Sequence, residues 1–511
     1  MTNDHRPPTT DGSQDSRITH HASRITHHAA GFSIHNSQFT ILLLLGCAAT
    51  LLYILLQMRF PLAVLYSCPR TNLDKLTRVE ATPPALPLRF YDCPNYPLDN
   101  LTRPHIPTGI ALLSGTLLLF GGYALGALAL RRPADDRRPT TDDRRLTTDD
   151  QREAEDSTLP ILDPRSSILD RRRLLGWLTT LALVGFPLLF VAILLRTYPA
   201  TSVDLYDYLF RGRMLARYEA NTFVHVPQDF AVDSLFEYAA WRRAVTAYGP
   251  LWEGLSWLTA RLAGERPYAA APSAPFVSPG IGTVYSGYTP AAMVELQRLM
   301  LAFKILAALG FLLCGAAIWG ALGRIAPEWR KLGLYLWLWN PLALWESAGA
   351  GHNDAWMALF IVLAVWAFSP RQGEAASLPP HRLISRSIWA FLALIAGGLI
   401  KFLSLFLGPV FLAAALRRLP DLRERARLVL LAGVACLAFA ALAYAPFWAG
   451  WATFRNFGDR VALFTATWLA TLKAGLVARG VGQGLAQQIA TTIGLWLLLG
   501  GTGWAAWRAW R

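Results

Sequence analysis

The segment TSVDLYDYLFRGRM, from Thr201, holds the densest set of side chains able to do chemistry. In a helix Asp204, Tyr208 and Arg211 fall at i, i+4 and i+7 and share one face, setting a carboxylate, a phenol and a guanidinium side by side. A carboxylate so placed can take a proton from an attacking hydroxyl. The same residues have structural readings. Thr201 and Asp204 have the T-x-x-D spacing of a capping box, which makes Asp204 an N3 capping residue. Asp207 and Arg211 stand four apart with the acid N-terminal, the favourable order for a helix-surface pair.

Three further clusters stand out. In AGAGHND, Gly349 and Gly351 precede His352, Asn353 and Asp354. Glycines allow a sharp turn and the Asn and Asp can cap the next helix, but a polar trio beside an aqueous cavity can equally hydrogen-bond a sugar or hold a cation. Lys401 is a lone lysine in LIKFLSLFLGP, able to snorkel to headgroups or to neutralise a phosphate arriving from the lipid side. Tyr248, Gly249 and Pro250 open an amphipathic stretch.

The elements that must position these residues are membrane helices. Of the 511 residues, 53% are hydrophobic and 16% charged, against about 25% charged in a soluble domain. Uninterrupted apolar runs such as 39–58 and 174–195 reach the ~20 residues needed to cross ~30 Å of hydrocarbon, and their length excludes a β-barrel. The net charge of +14 lies mostly in short segments between those runs, where it orients helices, so no nucleic-acid partner is expected. Cys47, Cys314 and Cys436 fall in apolar spans, Cys68 and Cys93 share one polar loop where a bridge is feasible, and no CxxC spacing marks a metal site.

Four regions follow. Residues 1–37 form a low-complexity tail with SRITHHA twice in tandem, 38–130 a two-helix membrane appendage, 131–173 a polar cytosolic linker with DDRRPTT and DDRRLTT, and 174–511 the main membrane domain. Positive-inside counting puts Arg171, Arg172 and Arg173 in the cytosol and the long segment 196–290 outside. Helices are expected over 292–322, 332–349 and 353–369, then two short ones meeting near Lys401 within 388–417, then 427–447 and a last helix reaching the C terminus. With the N-terminal pair this gives ten spans. The loop between 353–369 and 388–417 carries Arg371, Arg382 and Arg386, and 448–488 is an outer loop. Residues 249–263 are too short and too charged to span and are placed in the interface. No motif falls before residue 174, so removal of 1–173 is expected to leave the activity intact.

Taken together, these motifs resemble the polyprenol-phosphate-mannose-dependent α-1,6-mannosyltransferases of the C-type superfamily of multi-pass glycosyltransferases. The resemblance rests on D-x-Y-x-Y-x-x-x-G-R from Asp204 to Arg213, Y-G-P-L from Tyr248, Arg298 opening the next helix, N-P-L from Asn340, G-H-N-D from Gly351, and Lys401 before Pro409. It implies an all-α polytopic bundle with a long first extracytoplasmic loop, and a catalytic base at Asp204. The activity implied is transfer of a hexose, mannose in this family, from polyprenyl phosphate to an extracytoplasmic glycan or glycolipid at the plasma membrane. A phosphate leaving group requires no general acid, and one carboxylate acting across the sugar inverts the anomeric centre. Asp204 and Asp207 are then the catalytic candidates, and Arg213, Arg298 and Lys401 the donor-phosphate candidates. Tyr208, Tyr248, His352, Asn353 and Asp354 are the sugar- or acceptor-binding candidates. No cofactor motif is present, and a divalent cation is compatible with the site. The rival classes are a lipid-sugar transporter or flippase, whose mark is two hydropathically similar halves, and a non-catalytic envelope-assembly protein.

Overall fold

The computed structural model describes residues 38–58, 106–131, 164–199, 203–267, 290–371, 374, 378–454 and 468–511. The two tandem repeats and the Cys68–Cys93 pair lie outside these residues. In chain order the helices are α1 (Gln38–Met58), α2 (Ile106–Leu130), α3 (Pro164–Leu194), α4 (Asp204–Arg217), α5 (Pro250–Leu262), α6 (Pro290–Ile325) and α7 (Arg330–Leu338). There follow α8 (Pro341–Leu344), continued by a π turn over Trp345–Gly349, α9 (Asp354–Phe368), α10 (Pro380–Gly398), α11 (Gly408–Arg418), α12 (Leu422–Tyr444), α13 (Trp468–Ala478) and α14 (Gln483–Trp510). Among the described residues there is no β-strand.

Five of these helices, α1, α3, α6, α12 and α14, contain segments long and apolar enough to cross a membrane. A helix suits that setting because lipid offers its backbone groups no partners, so each must bond within the segment. α12 and α14 leave Leu430, Leu437, Leu442, Leu497 and Trp496 uncovered by protein. Cys47, Cys314 and Cys436 are free thiols on membrane-length helices.

Several boundaries differ from the sequence reading. The span expected over 332–349 is broken, because Pro341 cannot donate to α7 and Asn340 instead caps α8, its Oδ1 accepting from Leu342 N at 3.0 Å and Ala343 N at 3.3 Å. α3 starts at Pro164, so the expected linker ends in helix and Arg171 to Arg173 lie within it. α10 takes in Arg382 and Arg386, expected in a loop, and α13 divides the segment 448–488. α10 and α11 do meet through a break at Lys401, which leads into a 3-10 turn over Phe402–Leu407. α5 matches the expected interfacial helix in its bounds, but one side is sealed into the interior. Trp252, Glu253, Ser256 and Ala260 are buried there while Trp257, Leu258 and Leu262 remain exposed.

The N-terminal pair is no loose appendage. Leu42 and Tyr53 of α1 and Leu119 of α2 share one core with Phe190 of α3, Phe311 of α6 and Tyr335 of α7. Tyr53 packs on Phe190 with ring centroids 5.0 Å apart. Tyr335 Oη donates to Tyr123 O at 3.0 Å, and Tyr123 Oη donates to Leu336 O at 2.8 Å, so two phenols stitch α2 to α7.

Candidate active site

Asp204 is set by what holds the connection between α3 and α4. Lys304 of α6 is 0% exposed, and its Nζ donates to Leu194 O at 2.8 Å and to Thr197 O, which ties α6 to the C-terminal end of α3. Tyr206 Oη then bonds Tyr198 Oη at 2.9 Å, tying α4 back to the same connection. Asp204 is the first residue of α4, directly after the N-cap Val203, which forms no side-chain cap. It therefore does not hold the N3 place of the capping box expected from Thr201.

Two close backbone approaches bring distant segments to Asp204. Gly249 N donates to Ile400 O at 3.2 Å and Leu251 N to Leu399 O at 3.1 Å, joining the start of α5 to the α10–α11 break. A Cβ on Gly249 would fall 2.2 Å from Leu399 O, so only glycine permits the join. Gly351 has φ +81°, and its Cβ position lies 2.8 Å from Leu205 Cδ1, which seats the GHND turn against the residue after Asp204.

The polar groups meet at this junction. Tyr208 Oη donates to Tyr248 Oη at 3.2 Å, and Tyr248 Oη donates to Asp204 Oδ2 at 3.3 Å. Burial, with Tyr248 and Asp204 alongside, raises the Tyr208 phenol above the ordinary tyrosine value, and burial with Asp204 does the same for Tyr248. Both phenols are thus neutral donors near pH 7. Lys401 Nζ donates to Asp354 Oδ1 at 2.7 Å. His352 Nδ1 lies 2.8 Å from Glu346 Oε2 and 4.0 Å from Asp354 Oδ2. Burial disfavours the imidazolium, but the hydrogen bond and charge of Glu346, with Asp204 and Asp354 close by, outweigh it and raise the pKa of His352. Asn353 is 0% exposed, and neither its Oδ1 nor its Nδ2 has a hydrogen-bond partner among the described residues.

The structure thus gathers Asp204, Tyr208, Tyr248, His352, Asp354 and Lys401, with Asn353 inside the same turn. Three candidates fall elsewhere or are otherwise engaged. Asp207, 2% exposed, receives Arg211 Nε on both oxygens at 2.8 and 2.9 Å, and Arg211 also donates to Ala244 O at 2.9 Å. Its place is in a buried ion pair, as the spacing suggested. Arg213 sits nine residues beyond Asp204, on the opposite side of α4 at 100° per residue. There it meets Asp233 at 2.7 Å, Glu265 at 2.8 Å and Glu295 at 2.7 Å. Arg298 approaches the same cage, 3.9 Å from Glu265. Arg213 is thus held inside the carboxylate cage, and Arg298, 49% exposed, lies at its edge.

Sequence reasoning passed over three residues. Glu346 comes six positions before His352, a spacing that an ordinary helix does not bring together. Glu253 was read only as a charge that disqualifies a span. It is 1% exposed, accepts from Thr222 Oγ1 at 2.7 Å and from Thr246 Oγ1, and burial pushes its pKa up. Lys304 carried a signal equal to that of Lys401, since an ionisable group within a membrane-length helix is a functional candidate by default. Among the described residues no group of three or more His, Cys, Asp or Glu could hold a metal ion.

Comparison of the chain with protein-family models, with curated proteins and with solved structures finds no match. The fold itself defines the class: among the described residues a helical chain, five of its helices long and apolar enough to cross a membrane, with a half-buried polar junction where α4, α5, α9 and the α10–α11 break converge.

Proposed function

We propose that this chain is an inverting membrane glycosyltransferase, moving a hexose from polyprenyl phosphate to a glycan or glycolipid on the extracytoplasmic face of the plasma membrane. Mannose is the sugar suggested by the family resemblance. The acceptor hydroxyl attacks the anomeric carbon while the bond from that carbon to the phosphate oxygen breaks and its electron pair stays with the phosphate. Asp204 takes the hydroxyl proton, and Lys401 faces the charge that develops on the phosphate.

The observation that carries this reading is the hydrogen bond from Tyr248 to Asp204 at 3.3 Å, made by a residue whose neighbour Gly249 is bonded to the segment bearing Lys401. A carboxylate base and an ammonium almost 200 positions apart in sequence are thereby brought to one junction. Arg213, caged elsewhere, and Arg298, at the edge of that cage, take no part in the proposed chemistry.

The test is purified protein in liposomes with radiolabelled polyprenyl-phosphate mannose and a short mannoside acceptor. Label appearing in the acceptor with loss of the lipid donor supports transfer. Donor that crosses the bilayer unconsumed would favour a transporter, and donor neither moved nor consumed would favour an assembly protein.

A further inference from the structure

We propose that His352, set by Glu346, is a second phosphate-side group of this junction, presenting Nε2–H to the phosphate oxygen that leaves the sugar. The inference rests on the transferase reading above and assigns a residue to a charge that reading leaves incompletely met. As the anomeric bond breaks, the phosphate passes from one negative charge toward two. With Arg213 enclosed by the carboxylate cage and Arg298 at the edge of that cage, Lys401 is the ammonium at the junction, and Asp354 already holds it at 2.7 Å.

The geometry around His352 is that of an oriented imidazole. The π turn over Trp345–Gly349 places Glu346 so that its backbone oxygen accepts from His352 N at 2.8 Å while its carboxylate meets the ring at Nδ1, also 2.8 Å away. Such turns inserted into α-helical runs are frequent at functional sites. A carboxylate on Nδ1 fixes the proton there and leaves Nε2 as the working nitrogen. That Nε2 is buried and has no hydrogen-bond partner among the described residues. The charges facing the ring are Glu346, Asp354 at 4.0 Å, Asp204 of α4, and Lys401 through Asp354. Of the elements packed on the π turn, α8 brings no titratable group, α3 is followed by exposed Arg196, and α6 brings Lys304, which is tied to Leu194 and Thr197. The balance around the ring is negative and favours the imidazolium.

In the transfer step, Asp204 receives the acceptor proton, the electron pair of the broken bond goes to the phosphate oxygen, and His352 keeps its proton while donating a charge-assisted hydrogen bond to that oxygen. Transfer then needs Asp204 ionised and His352 protonated, so the basic limb of the pH profile belongs to His352.

The experiment is the pH dependence of kcat for wild type, Glu346→Gln, Glu346→Asp and His352→Gln in liposomes. Losing the carboxylate should move the basic limb of Glu346→Gln to lower pH by about one unit or more, while Glu346→Asp stays near wild type. His352→Gln should lose that limb, with kcat down about 10- to 100-fold. A wild type that consumes no donor would sink the transferase reading itself. An active wild type whose basic limb stays put in Glu346→Gln would sink this inference alone. Should that variant not fold, inhibition of wild type by polyprenyl phosphate decides: it should weaken severalfold as pH rises through the basic limb, and inhibition that does not change with pH overturns the assignment.

Discussion

Tyr248 donates its phenol hydroxyl to Asp204 Oδ2 at 3.3 Å while accepting that of Tyr208 at 3.2 Å. The hydrogen bond fixes the direction of the carboxylate, so removing it should loosen the base without touching the phosphate side. Tyr248→Phe is expected to lower kcat about tenfold, the equivalent of one hydrogen bond to a charged group, with the donor KM unchanged. Tyr208→Phe, one step further back, should cost less. Steady-state kinetics of both variants check this, and a larger loss at Tyr208 than at Tyr248 would reverse the order of the chain.

Lys401 and Asp354 are 38% and 47% exposed, so their ion pair adds little to stability. Lys401→Met should therefore purify as a folded protein and show its effect on the donor. The apparent KM for polyprenyl-phosphate sugar should rise about tenfold or more, with the acceptor KM unaltered. Unchanged donor dependence would mean that the ammonium only seeks the headgroups.

Arg213 has the opposite profile. Its guanidinium is 1% exposed and holds Asp233, Glu265 and Glu295 together. Arg213→Met leaves three carboxylates facing one another, with the exposed Arg298 and half-buried Arg217 as their nearest cations, a loss on the order of 3–5 kcal/mol. Thermal unfolding in detergent should show a marked fall in midpoint, while any folded fraction keeps wild-type KM values. A stable variant with a raised donor KM would return Arg213 to the phosphate site.

Deleting residues 1–173 strips Tyr53 from Phe190 and Tyr123 from Tyr335. Whatever activity it keeps, the truncated chain should unfold at a clearly lower temperature than the full chain, because large aromatic contacts are lost. An equal midpoint for the two would restore α1 and α2 to the status of an appendage.

What the sequence made legible was local. The membrane helices followed from uncharged runs, the Asp207–Arg211 pair from i, i+4 spacing, and the break at Lys401 from the need to keep Arg417 to Arg427 on one side. The break at Asn340 carried its own mark in the Asn-Pro dipeptide and was overlooked because the flanking residues are uniformly apolar. Nonlocal relationships were hidden. The partners of Arg213 lie 20 and 52 positions away at Asp233 and Glu265, and no periodicity announces them. The pairing of Glu346 with His352 needs a π turn, which propensity does not encode. Asp204, Tyr248 and Lys401 were thus each singled out without any geometry to join them, whereas Arg213 and Arg298 were singled out through the motif alone.

The most direct measurement is transfer by Asp204→Asn. Asparagine keeps the size and can still accept the Tyr248 hydroxyl, but it cannot take the proton of the acceptor. In liposomes with polyprenyl-phosphate mannose the variant should fold as wild type, bind donor normally and transfer about 10² to 10⁴ times more slowly. Turnover near that of wild type by the folded variant would remove Asp204 from the mechanism and contradict the account.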